Sequence, residues 1–168
     1  MEGQTEQNTI KVTAGISGAT EIFVDDTFAR ISEVYKREGN IFKTFSLDEK
    51  AVPYLADTIL IPTQPSTKWY SISFSNGLAV VCTKSTLFLT DEGYISAPNL
   101  VIGLEINELI YDIATSDIMM SKTKVIATEY KEVEGGAPAY YFLNQNSNML
   151  IPAYNESLNK ISFINIMQ

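Results

Sequence analysis

The sequence predicts an all-β fold, mostly strand with one or two short helices, and three observations carry that expectation. Apolar, β-branched and aromatic residues recur in short alternating runs separated by turn residues. Trp69 to Ser75 and Leu78 to Thr83 flank Asn76-Gly77, the dipeptide that suits a two-residue hairpin turn because both central residues tolerate positive φ. Helical spacing is confined to one stretch, in which Phe28, Ile31, Val34 and Tyr35 recur at intervals of three and four.

Taken along the chain, Thr9 to Ala14 and Thr20 to Val24 read as two strands around the turn residues Gly15 and Gly18. A short helix is expected from Asp26 or Thr27 as N-cap to just before Gly39. Strands follow at Ile41 to Ser46 and Asp57 to Ile61, and Pro62 and Pro65 mark a loop before the Asn76-Gly77 hairpin. Further strands are expected at Thr86 to Leu89, Tyr94 to Ser96, Glu108 to Ile113, Thr123 to Val133, Ala139 to Leu143, Met149 to Ile151 and Lys160 to Ile166. Residues 1–12 read as a polar arm and 13–168 as one domain, with no repeat and no low-complexity tract.

Composition narrows the functions. Apolar residues make up 45% of the chain, with nine Tyr and eight Phe, enough to build a core that offsets the entropy of ordering. The formal net charge is −8 and the twelve Lys and Arg are scattered, which argues against a nucleic-acid partner. No apolar run reaches the ~18 residues of a membrane helix, and the first residues are polar and acidic rather than those of a signal peptide. The expected setting is the cytoplasm or a virion. Cys82 is the single cysteine, so one chain can form no disulfide, and no metal or cofactor is expected. There is no histidine at all, which removes Ser-His-Asp triads, Cys-His pairs and histidine-ligated zinc.

The block WYSISFSNGLAVVCTKSTLFLTDEGYISAPNLVIGLEI, from Trp69 to Ile106, carries Thr83, Thr90, Gly93, Tyr94, Ala97, Leu100 and Gly103 at set spacings. An earlier block places Gly18, Thr20 and Ile22 ahead of Ile31 and Glu33, and AYYFLNQNSNMLI lies near the end. Together these resemble the Hint domain of inteins and hedgehog proteins over about Thr13 to Ile151, most closely in the middle. The resemblance implies a compact β fold of many short strands. It also implies self-cleaving chemistry, in which a first-residue Cys or Ser attacks the preceding carbonyl, a Thr-x-x-His motif protonates the departing amide, and a terminal His-Asn cyclises.

Each of those steps meets a departure in this chain. Gly15 stands where the family has its nucleophile and offers no attacking atom. Thr86 stands where the family has the histidine, and a hydroxyl cannot replace an imidazole as a proton donor near neutral pH. Leu104 stands where the family has an Asp, and Asn155, the nearest match to the terminal Asn, follows Tyr154 rather than a histidine. Thr83 is retained, although a threonine in a strand is commonly a β-former. Gly15, Thr83, Thr86 and Asn155 are therefore expected to be vestigial.

Other residues have plain readings. Cys82, beside Val80 and Val81, reads as a packing residue. Asp25 with Asp26, and Asp91 with Glu92, read as turn caps rather than calcium ligands, and Tyr140-Tyr141-Phe142 as core. The expected function is a non-catalytic structural or interaction module derived from a self-splicing domain, in a phage or other multi-protein assembly. Its partners are proteins or further copies of itself, met through the termini, with Ile161, Phe163, Ile164 and Ile166 of the last strand as interface candidates because they make both faces apolar. Two alternatives remain open. One is a self-processing domain with a displaced nucleophile, Ser17, Thr20 or Cys82; the other is an intein whose catalytic residues were replaced deliberately, against which the loss of every histidine speaks.

Overall fold

The computed structural model describes residues 15–25, 27–36, 41–155 and 158–168. The strand expected at Thr9 to Ala14 and the arm over 1–12 lie outside the described residues. Among those described, fourteen strands are β1 (Ile16–Ser17), β2 (Glu21–Val24), β3 (Thr27–Arg30), β4 (Ile41–Leu47), β5 (Pro53–Pro62), β6 (Ser66–Phe74), β7 (Ala79–Cys82), β8 (Leu87–Thr90), β9 (Gly93–Ser96), β10 (Glu105–Asp112), β11 (Ile118–Ala137), β12 (Ala139–Leu143), β13 (Asn148–Asn155) and β14 (Lys160–Met167). The described residues also form one helix, α1 (Ile31–Tyr35), and a 3-10 turn at Ala97–Asn99. The all-β expectation is met.

The long sheet runs β4-β5-β12-β1-β7-β6-β11-β10-β14-β8-β9, with β13 also paired to β14, and every pairing is antiparallel. The hairpin expected around Asn76-Gly77 forms, but its turn holds three residues rather than two: the Phe74 amide donates to the Leu78 carbonyl at 2.9 Å, Ser73 pairs with Ala79, and Gly77 alone of Ser75, Asn76 and Gly77 takes positive φ, +92°. β11 is much longer than its sequence pattern indicated. Its first part pairs with β10 and its later part with β6, so one strand bridges two stretches of sheet around an irregularity between Val125 and Ala127.

The helix is shorter than the spacing suggested. Thr27–Arg30 is strand, paired back onto β2 with Phe28 opposite Phe23, their rings edge to face at 5.5 Å. The hairpin absorbs the residues that open the helical pattern; from α1, Ile31 and Val34 are buried and Tyr35 packs half-buried beside them. That short helix is held from outside itself: the Ile31 and Ser32 amides donate to the Thr20 and Gly18 carbonyls at 2.9 and 3.0 Å, satisfying donors that a helix start leaves open.

Two cores result. The main one gathers Ile16, Ile22, Ile31, Phe74, Cys82, Phe88, Phe142, Ile164 and Ile166 among others. The second gathers Leu47, Leu109, Leu150, Ile161 and Phe163 under Phe23, Phe28 and Phe45. β14 lies between them, and this corrects the interface expectation. Ile164 and Ile166 are fully buried in the main core, while Ile161 and Phe163 are each 6% exposed in the second. The strand is apolar on both faces because it pairs with β10, β13 and β8 and carries a core of its own chain on either side. None of the four side chains is a free docking surface.

Candidate functional site

The two sequence blocks meet at Gly15. β1 lies between β7 and β12, with Ile16 opposite Cys82 on one side and Tyr140 on the other. Just before β1, the Gly15 amide donates to the Thr83 hydroxyl at 2.9 Å, and the Gly15 carbonyl accepts the Thr83 amide at 2.9 Å and the Thr86 hydroxyl at 3.4 Å. The tight turn after β7 makes this possible, since the Thr86 amide donates to the Thr83 carbonyl at 3.2 Å. Ala97 closes the arrangement from behind by donating its amide to the Thr86 carbonyl at 3.0 Å. Gly15, Thr83, Thr86 and Ala97 are thus one constellation, assembled from residues up to 82 positions apart.

Gly15 itself has no room for a side chain where its backbone lies. A Cβ placed on Gly15 would lie 2.5 Å from the Tyr140 carbonyl oxygen, 2.7 Å from its carbon and 2.9 Å from its nitrogen, all backbone atoms of a paired strand. Gly18 is crowded less severely and by side chains, with a Cβ there 2.9 Å from the Tyr140 ring and 3.1 Å from the Ser32 Cβ. Each of these glycines permits a close approach that a side chain would prevent.

Cys82 faces the same place. It is fully buried, and burial pushes its thiol up to about 12, against a smaller opposing effect of a hydrogen bond with Thr86. A thiol held protonated in an apolar core is a poor nucleophile. Of the other displaced candidates, the Ser17 hydroxyl accepts the Ala19 amide at 3.2 Å in a local turn. Thr20 is half-buried and gives its backbone carbonyl to α1.

Asn155 is not part of the constellation. It ends β13 opposite Lys160, whereas the other end of the β14 ladder, Met167, pairs with Leu87 beside Thr86. Seven residues of strand separate the two ends, on the order of 20 Å at ordinary strand rise. The residue that the last strand does bring near is Gln168. Its side-chain carbonyl accepts the Phe142 amide at 3.1 Å, two residues along β12 from Tyr140, and its Nε2 is buried without a hydrogen-bond partner among the described residues. Gln168 lies beyond the segment that resembles the Hint domain, and its only mark in the sequence is an amide residue directly following the strand ISFINIM.

The remaining motif positions shape the turns that feed this centre. Thr90 donates to the Gly93 carbonyl at 2.7 Å, and Gly93 has φ +107°. Leu104 packs half-buried against the main core, and its backbone carbonyl accepts the Val125 amide at 2.9 Å. Asp25 sits in the β2–β3 turn with φ 52°, and Asp26 lies outside the described residues. Asp91 is ion-paired with Lys122, whose hydrogen bond and charge hold its carboxyl below the usual range. Among the described residues no three His, Cys, Asp or Glu side chains group as metal ligands, and no helix is long and apolar enough to cross a membrane.

This architecture, with the first described strand led by a glycine and clasped between a Thr-x-x-Thr turn and an aromatic strand, defines an intein-like class of fold. The chain has the Hint fold: it superposes on a DnaB intein from Synechocystis with a TM-score of 0.69, at 13% identity over 92% of this chain and 99% of that one. A bacterial intein-like domain from Clostridium thermocellum gives 0.65 at 12% identity, covering 94% of this chain and 100% of that one. The DnaX mini intein from Spirulina platensis gives 0.64 at 14%, covering 92% and 99%. No protein-family model matches the sequence, and no curated protein matches it.

Proposed function

We propose that this chain is a Hint-fold domain that does not process itself and serves as a non-catalytic module in a protein assembly. The observation that carries the proposal is the contact at Gly15, where the Tyr140 backbone occupies the space an attacking side chain would need. Gly15 thus lacks a reactive group, and the paired Tyr140 backbone leaves no space for one at that position. Thr86 in place of an imidazole and a Cys82 thiol raised to about 12 agree with this.

The partner-facing surface falls elsewhere than on β14. Ile118, Met119 and Met120 open β11 as three consecutive exposed apolar residues, the last 69% exposed, and Tyr111, Ile118 and Pro53 rim an apolar cavity of about 250 Å³ lined by Phe23, Phe45 and Phe163. A phage or other mobile-element assembly supplies a setting for such a module.

The test is intact-mass spectrometry of the purified chain incubated with thiol or hydroxylamine. A single unchanged mass is expected, and a fragment ending at Ala14 overturns the proposal. A Gly15→Cys, Thr86→His double variant, which restores both reactive groups, is expected to stay uncleaved; cleavage would show that the Tyr140 wall yields.

One observation favours a second reading, self-cleavage after the last strand. Gln168 places a side-chain amide near the constellation, where an amide that cyclises onto its own carbonyl would release whatever follows. Met167 rather than histidine precedes it. Extending the chain past Gln168 and following the loss of that extension by mass decides between the two.

A further inference from the structure

The turn that closes the β6–β7 hairpin carries the only Asn-Gly pair in the sequence, Asn76-Gly77. An asparagine before glycine is open to a known spontaneous reaction, because glycine has no side chain to shield its backbone nitrogen. The Gly77 nitrogen attacks the Asn76 Cγ, a C–N bond forms, the Cγ–Nδ2 bond breaks, and ammonia leaves with the amide proton. Solvent water then opens the cyclic imide to aspartate or isoaspartate. A Cβ at Gly77 would meet nothing within 4 Å, so the outside of the turn is open to solvent.

In the folded turn, however, every atom the reaction needs is engaged. The Gly77 amide donates to the Phe74 carbonyl at 3.0 Å, which holds the would-be nucleophile within the hairpin. The Asn76 Oδ1 accepts the Leu78 amide at 3.0 Å, its Nδ2 donates to Glu108 Oε2 at 3.0 Å, and its own amide donates to the Thr123 hydroxyl at 3.1 Å. Cyclisation must break several of these bonds at once. Glu108 adds a consequence, because it is 7% exposed and stands in the middle of β10, opposite Ser121 of β11 and Ile164 of β14. Its carboxylate accepts the hydrogen bond from the Asn76 side chain.

We propose that Asn76 is a deamidation site kept inert by the folded turn, and that its conversion sets a second carboxylate against the buried Glu108 and loosens the sheet there. Deamidation replaces a donor 3.0 Å from Glu108 with an oxygen that cannot donate when ionised. Like charges at that distance, one of them taken out of water, repel. The isoaspartate product also lengthens the backbone by a carbon and shifts the hairpin register that pairs Ser73 with Ala79. The modification therefore marks chains that have opened and disfavours their return.

The experiment uses the whole chain at physiological temperature and mildly alkaline pH, with and without denaturing urea, and reads conversion at Asn76 by peptide mass spectrometry. Conversion in the native state is expected at least about tenfold slower than in urea, since it waits on local opening. Equal rates overturn the gating. Asn76→Asp, which mimics one product, is expected to lower the midpoint of thermal unfolding by about 5 °C, and Asn76→Asp with Glu108→Gln to recover most of that loss. If N76D matches the wild type, or if E108Q restores nothing, the carboxylate clash is wrong. Should N76D not fold at all, folding of the double variant still supports the clash and failure of both overturns it.

Discussion

The Gly15 amide donates to the Thr83 hydroxyl at 2.9 Å, and the Thr83 amide returns a bond of the same length to the Gly15 carbonyl. This reciprocal pair ties the first described strand to the end of β7 across 68 positions. Both residues are buried, so neither bond is exchanged for water. The weight of this pair in holding the fold together is open to stability measurements.

Gly15→Ala should destabilise the domain by roughly 1–3 kcal/mol or more, because the added methyl meets paired backbone rather than the tip of a flexible side chain. Urea unfolding of the variant against the wild type measures this. A neutral result would mean that β12 can move away from β1.

Thr83→Val keeps the β-branched shape and removes the acceptor, leaving the buried Gly15 amide unpaired at a cost of about 1–3 kcal/mol. Thr83→Ser keeps the oxygen and should lose clearly less. If both variants unfold at the same urea concentration, the hydroxyl contributes nothing and Thr83 is only a strand former.

Cys82 should resist alkylation in the native protein at mildly alkaline pH and react at once on denaturation. The pH dependence of stability follows from the same shift. Burial raises the folded-state thiol to about 12 from the ordinary 9.0, so the unfolded chain releases its proton first. Stability from this group is complete below about 9 and declines as pH rises through the window up to about 12. Cys82→Ala should remove that part of the alkaline decline, and unfolding midpoints along a pH series would reveal it.

Asn148 is the polar hub beneath the turn at the start of β13. Its Oδ1 accepts from the Ser46 hydroxyl, the Leu47 amide and the Asn165 side chain at 2.9, 2.7 and 2.8 Å, and its Nδ2 donates to the Leu47 and Asn146 carbonyls at 2.9 and 3.2 Å. Asn148→Leu should cost at least about 3 kcal/mol, since several buried groups lose partners together. Calorimetry showing a midpoint within a degree or so of the wild type would contradict this.

Ile164→Ala tests whether β14 belongs to this chain's own core. A fully buried isoleucine truncated to alanine costs about 2–5 kcal/mol through lost burial and a cavity. A monomeric variant with that loss is expected; a change in oligomeric state without loss of stability would return β14 to the role of an interface.

What the sequence determined by itself was local chemistry and pattern. Alternation and the Asn76-Gly77 turn declared strands, the spacing from Thr83 to Gly103 declared the Hint fold, and the missing histidine removed whole mechanisms, because each of these is written in neighbouring residues or in a count. Partnership between distant segments was decided only in three dimensions. Phe28 looked helical until its ring met Phe23 across a hairpin, and β14 looked like an unprotected apolar strand until β10, β13 and β8 surrounded it with two cores. Asn155 matched by proximity in sequence, yet strand register places Gln168, not Asn155, near Thr86. The tight contact at Gly15 was invisible for the same reason: it depends on how near the Tyr140 backbone runs, and that distance is set by the packing of strands more than a hundred residues apart.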